Sequence, residues 1–232
     1  MGKTTAIGWC DATWNPWRGC IKISPGCKYC YMYRDLSGPR LRRLGSPFDV
    51  VRSKTTFKDP LTWKEPLVIF TCSYSDFFIE QADAWRPEAW EVIRRTPQHT
   101  YLVLTKRPER IADRLPQGWP WPHVWLGVSV EMPAYLWRAD VLRGIPAAHR
   151  FLSCEPLLED LGLINLEHID WIIAGGESGP ERRPMEMAWM ASIRDQCAAS
   201  GVRLYVKQDV APKSGQQGRI PDDLWLSKDR PH

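Results

Sequence analysis

The sequence has no long apolar run. Its longest, PLVIF and DWIIAGG among them, fall far short of the roughly 18 consecutive apolar residues that suggest a membrane span. The first residues, MGKTTAIGW, hold no apolar stretch of the length found in secretory signal peptides. Both features lead us to expect a cytoplasmic protein with no membrane partner. A strong excess of one charge is missing as well. The formal net charge of +4 permits nucleic acid as a partner without establishing it. Cysteine is sparse, at seven in 232 residues, and histidine sparser, at five. In a reducing compartment disulfides are rare, so cysteines that nevertheless cluster are read as metal or redox ligands.

Three of the seven cysteines do cluster. Cys20, Cys27 and Cys30 stand close together in WNPWRGCIKISPGCKYCYM, among prolines, glycines and aromatics. The last two straddle a tight turn, with Ser24, Pro25 and Gly26 bending the chain just before it. Three thiolates in one loop suit zinc completed by a fourth ligand, or a [4Fe–4S] cluster with one iron left open. Spacing leaves both open. Cys10 is the nearest further thiol in sequence, and no histidine is near. Cys72, Cys154 and Cys197 lie in apolar contexts and read as small core residues. Thirteen tryptophans are unusually many; they serve either packing or a surface that stacks on bases or a purine cofactor.

Beyond the cysteines, short β-rich runs alternate with helical stretches. Segments 66–78, 100–111, 124–131, 149–158, 169–179 and 202–208 read as strands, with an opening strand near 6–13. Helical character follows at 86–96, 107–115, 133–144 and 185–200, the last ending at Gly201. Continuously apolar strands are buried on both faces, as in parallel sheets. The expected fold is therefore α/β: a partial or complete (β/α) barrel of the TIM type with about six to seven parallel strands, over residues 1–208. A doubly wound open sheet is the alternative. Residues 209–232 are polar and rich in glycine and proline, and are expected to pack on the barrel as a tail.

Polar residues gather just past the apolar part of each strand: Ser73, Ser75 and Asp76; Thr105, Lys106 and Arg107; Ser129 and Glu131; Ser153 and Glu155; Glu177 and Ser178; Lys207 and Gln208. In a barrel these line the C-terminal mouth, where substrates bind. The cysteine loop follows the first strand and would open on the same mouth. Lys106 and Arg107 suit a phosphate or carboxylate anchor. The basic stretch GPRLRRLGSPFDVVRSK, residues 38–54, is either a solvated face or a nucleic-acid contact.

CKYCY after an earlier cysteine is similar to the cluster loop of radical S-adenosylmethionine (SAM) enzymes, the spore photoproduct lyase branch in particular. The larger set, WNPWRGCIKISPGCKYCYM, SYSDFF, TPQHTYLVLTKRPERI, VWLGVSVE, RFLSCEPLL, DWIIAGGESG and DQCAASGVRLYVKQ, resembles the phage-associated three-Cys-motif protein family, which is related to radical SAM proteins. The resemblance spans residues 7–226. It implies a TIM-type barrel in which Cys20, Cys27 and Cys30 hold a [4Fe–4S] cluster. SAM would bind the open iron and be cleaved to a 5′-deoxyadenosyl radical that abstracts hydrogen from a substrate, with a nucleic acid or nucleotide favoured. It further implies Tyr29 against the cluster or adenine, and Ser75, Asp76, Glu131, Gly175, Gly176, Glu177 and Ser178 toward the cofactors. Glu177 would face the methionine amino group, and Lys106, Glu155 and Glu177 would be the catalytic candidates. Expected partners are an electron donor such as flavodoxin or ferredoxin, and a protein encoded nearby. Two features depart from the radical SAM pattern. Six residues separate the first two cysteines where three are usual, and the Gly-Gly-Glu sequence falls late, at 175–177. The alternative is a non-catalytic protein of phage origin that binds nucleic acid or a partner, stapled by zinc or bearing the cluster without SAM chemistry.

Overall fold

Continuously apolar segments such as VWLGVS, buried at every position, can satisfy their backbone only inside a sheet covered on both faces. The computed structural model, which describes residues 5–39 and 45–230, puts them in one. In chain order the elements are β1 (Ala12–Trp14), β2 (Trp17–Arg18), α1 (Tyr31–Ser37), β3 (Val51–Arg52), β4 (Val68–Thr71), α2 (Arg86–Arg94) and β5 (Thr100–Thr105). Then follow β6 (Val124–Ser129), α3 (Trp137–Arg143), β7 (His149–Cys154), β8 (Trp171–Gly175), α4 (Met187–Ser200), β9 (Arg203–Gln208) and α5 (Asp222–Trp225). Seven strands form one parallel sheet in the order β1-β4-β5-β6-β7-β8-β9. This order never reverses, which excludes the doubly wound alternative and gives a half-barrel. A second, antiparallel pair, β2 with β3, holds the loop that carries Cys20 and was not foreseen.

Two cores lie on the two faces. Outside, Ile69, Tyr101, Leu126, Leu152, Ile172 and Val206 pack with residues of α2 and α4 such as Val92, Ile93, Met190 and Ile193. Inside, Trp9, Phe70, Leu102, Trp125, Phe151, Trp171 and Tyr205 fill the concave face. Gly127 makes room for them, since a methyl group there would overlap the Phe151 ring. Trp9, Trp14, Trp17, Trp63, Trp90, Trp125 and Trp171 are all buried, so most of the tryptophan excess is packing.

Side chains, not strand pairing, bridge the gap between β1 and β9. The Tyr205 hydroxyl of β9 lies against Gly8, just before β1, and Arg230 of the tail pairs with Asp11 at 2.7 Å. The tail covers the outer edge of β9: the Val206 amide donates to Ser227 at 2.8 Å and the Asp229 amide to Leu204 at 3.1 Å. An open edge is thereby hidden.

Two local expectations shift. The opening strand spans Ala12–Trp14 and not 6–13, because the preceding residues turn to bring Trp9 into the barrel. The helix expected at 107–115 is two 3-10 turns, Pro108–Arg110 and Ala112–Arg114. Arg110 is drawn inward there, donating to the Phe78 carbonyl at 2.8 Å and to Asp83. Helix α4 ends at Gly201 in the left-handed conformation, φ 68°, as the sequence suggests.

Candidate functional site at the barrel mouth

A cavity of about 950 Å³ opens at the C-terminal ends of the strands. Cys20, Cys27 and Cys30 line it together with Tyr29, Ser75, Asp76, Lys106, Glu155, Gly176, Glu177 and Ser178. Glu131 and Gly175 are placed behind its wall.

The cysteine loop is fixed from several strands. Asn15 receives the Tyr74 amide at 2.7 Å, and the Trp17 indole donates to the Asp76 carbonyl at 3.1 Å. Ser75 donates its hydroxyl to the Gly19 carbonyl at 2.6 Å, so its role is to hold the loop. Gly19 has φ 88°, and a side chain there would run into the Asp49 backbone. The Tyr33 hydroxyl donates to the Cys20 carbonyl at 2.8 Å, and Arg107 to that of Ile21 at 2.9 Å. A 3-10 turn, Pro25–Cys27, carries the second cysteine, and Cys30 stands immediately before α1.

Two buried carboxylates anchor this arrangement. Asp76 accepts from Thr105 at 2.6 Å, from the Lys106 amide at 2.9 Å and from Arg107 at 2.9 Å. Glu131 is fully buried and takes Lys106 at 2.5 Å, Arg138 at 2.9 Å and the Ser24 hydroxyl at 2.7 Å. Burial works against its ionisation, but Lys106 and Arg138 outweigh that and hold its carboxyl below the ordinary range. Gly26 sits directly on this carboxylate, where a methyl group would overlap it. Both acids anticipated as cofactor contacts are thus occupied as supports of the loop.

The Gly-Gly-Glu stretch has a similar outcome. Gly176 lies against the chain following β9, and a methyl there would meet the Val210 nitrogen at 2.7 Å. Gly176 is required by this close approach of the chain, while Gly175 has no neighbour as near. Glu177 accepts three hydrogen bonds from Arg183, two from the guanidinium at 2.6 Å and 2.9 Å and one from the amide at 2.9 Å, so the free carboxylate expected for an amino group is engaged. Arg183 also donates to the Pro25 carbonyl at 3.0 Å and lies over the Tyr29 ring at 5.3 Å, linking this segment to the cysteine loop. Nothing in the sequence pairs Arg183 with either partner. Glu155, at the end of β7, lies 3.2 Å from Lys207 at the end of β9; its Oε1 is buried without a well-aligned hydrogen bond.

The three thiols form no disulfide and line the same cavity. Burial pushes Cys20 up to about 12, with the Asp76 carboxylate raising it further and Arg107 opposing. Burial also raises Cys30, with nearby Lys106 opposing. Both feel the charge of Cys27. A fourth thiol, Cys72, is in the cavity wall at φ 58° and within electrostatic reach of Cys20. Cys10 points instead into the inner core, its sulfur 3.8 Å from the Ile7 carbonyl, and is not near the trio. Among the described residues, no three His, Cys, Asp or Glu side chains are grouped as the ligand set of a metal ion. The donor chemistry still suits a sulfur-ligated group: three soft thiols on one cavity wall, with Lys106 and Arg107 beside them to balance thiolate charge.

Residues 40–44 of the basic stretch lie outside the described residues. Of the rest, Arg52 pairs with Glu88 at 2.5 Å and Phe48 is exposed. No described helix is long and apolar enough to cross a membrane.

No curated protein and no solved structure matches the chain. A family described as a protein of unknown function, DUF5131, matches residues 4–220, and the chain belongs to that family.

Proposed function

We propose that the protein is an iron–sulfur enzyme of radical SAM type. On this reading Cys20, Cys27 and Cys30 hold a [4Fe–4S] cluster, and the barrel mouth holds SAM and a substrate, with a nucleic acid or nucleotide favoured. The observation that carries the reading is that three free thiols of one loop line the mouth cavity. An odd set of three thiolates leaves one iron of such a cluster open, and the cluster with SAM supplies hydrogen-abstracting chemistry. The rest falls to the chain. Glu131 and Asp76 fix the loop from β4 to β6. Lys106 and Arg107 offset the negative charge of the thiolates. Tyr29, Tyr31 and Tyr33 wall the cavity and keep water from it. Resemblance of the cysteine loop to the phage-associated three-Cys-motif proteins supports the same class.

Zinc is the second reading, and Cys72 favours it, because it supplies a fourth thiol in the same cavity near Cys20. In that case the protein is a binding module with no SAM chemistry. Anaerobically purified protein with SAM and dithionite separates the two readings. Release of 5′-deoxyadenosine, lost in Cys27→Ala, supports the enzyme. Protein that carries one zinc, lost in Cys72→Ala, and releases none contradicts it.

A further inference from the structure

At the β9 side of the cavity stands a group of lysines that the cysteine loop does not use. Lys207 projects from β9, Lys213 is exposed on the following loop, and Lys228 belongs to the tail segment bridged to Tyr205. All three line the cavity, as do Tyr205 and Trp225. Lys228 donates to the Val206 carbonyl, and its ammonium group lies 3.1 Å from the centre of the Trp225 ring and 5.1 Å from that of Tyr205. None of these partners neutralises it. Glu155 is the carboxylate at this end, 3.2 Å from Lys207.

We propose that this end of the cavity binds a phosphate monoester, held by Lys213 and Lys228 with Lys207 beside them. Among the described residues, Asp76 and Glu177, also in the lining, are paired with Arg107 and Arg183, so Lys207, Lys213 and Lys228 against Glu155 leave an excess of two positive charges at this end. A phosphate monoester carries about −1.5 to −2 at neutral pH and so matches that excess, which a single carboxylate does not. Lysine is a point-charge ligand well suited to phosphate. Burial lowers Lys228 to about 8, so an ammonium there gains from an incoming anion. In complete β/α barrels the loops after the last strands are frequent phosphate sites, and Lys213 stands in the corresponding loop after the seventh strand of this sheet, with Lys207 at that strand's end. As an assignment of substrate class this rests on the proposed function; as a binding site it does not, because the lysines are anchored apart from the cysteine loop.

Calorimetric titration of the full chain with inorganic phosphate, and with acetate at equal ionic strength, tests the site. Phosphate is expected to bind and acetate to bind more weakly. Lys213→Gln and Lys228→Met are each expected to weaken phosphate about tenfold, as loss of a charge-assisted hydrogen bond does. Lys213 is exposed on a loop, so its variant carries the test even where Lys228→Met impairs folding. A phosphate affinity unchanged in Lys213→Gln, acetate binding as tight as phosphate, or no binding of phosphate would each overturn the proposal. The triple variant Cys20→Ala, Cys27→Ala, Cys30→Ala separates this site from the cluster. Phosphate binding retained there supports the subsite whatever metal the loop holds, and binding lost there overturns its independence.

Discussion

Glu131→Gln probes the support of the cysteine loop most sharply. The side chain is fully buried and is shared by Lys106, Arg138 and Ser24. Arg138 is itself 1% exposed, so removal of the carboxylate charge leaves a guanidinium buried without its counter-ion. Breaking a buried pair in this way costs about 3–5 kcal/mol, several times the value of a surface ion pair. At about 2–4 °C per kcal/mol for a chain of this size, the melting temperature should fall by about 6–20 °C. Urea denaturation followed by tryptophan fluorescence, on metal-free protein, gives the free energy directly. Adding Arg138→Met should recover part of the loss, since two removed partners leave no orphan charge. Ser24→Ala should cost only about 1 kcal/mol of stability, yet weaken metal retention by freeing the turn that carries Cys27. A loss below about 1 kcal/mol in Glu131→Gln would refute the reasoning, as would a double variant no better than the single one.

Gly127→Ala should destabilise by about 1–3 kcal/mol through overlap with the Phe151 ring, and Gly127→Ala with Phe151→Leu should restore part of it; equal stability of wild type and single variant in urea would contradict this packing. Metal uptake by metal-free protein should strengthen from pH 6 to pH 9. Burial raises Cys20 and Cys30, so both start protonated and must release protons to become ligands; titration with Zn²⁺ as the probe should show it, and a flat profile would not fit. Asp83 contributes to acid stability. Burial opposes its ionisation, but hydrogen bonds from Arg86, Arg110 and Arg114 hold it at about 2. Its contribution is therefore complete above its unfolded value near 4 and is lost as the pH falls toward 2. Asp83→Asn should flatten the stability profile over that window, as read by melting temperature.

What could be read in the sequence follows from which forces act locally. Strands such as VWLGVS and TYLVLT announce a parallel sheet because continuous burial leaves no alternation, and the strand ends bring most of their polar residues into one cavity. That the cysteine loop opens on the same cavity was legible from its place after the first strand. The roles of the acids were not. Asp76 and Glu131 have the composition of ligand contacts, and only their partners Arg107 and Ser24, far off in sequence, show them to be supports. Gly175 and Gly176 matched the letters of a cofactor motif, whereas tertiary approach of the chain after β9 explains Gly176. The lysine end of the cavity was equally hidden. Lys228 reaches it only because the tail pairs with β9, a long-range event that no periodicity reports.

The central claim is that Cys20, Cys27 and Cys30 hold one iron–sulfur cluster. Iron, sulfide and zinc analysis of anaerobically purified wild type, of each single Cys→Ala variant at these positions, and of Cys72→Ala tests it most directly. The account predicts about four irons and four sulfides per chain in wild type and Cys72→Ala, with iron lost when any of the three is replaced. Zinc in place of iron, or iron that survives loss of one of the three and depends on Cys72, would contradict it.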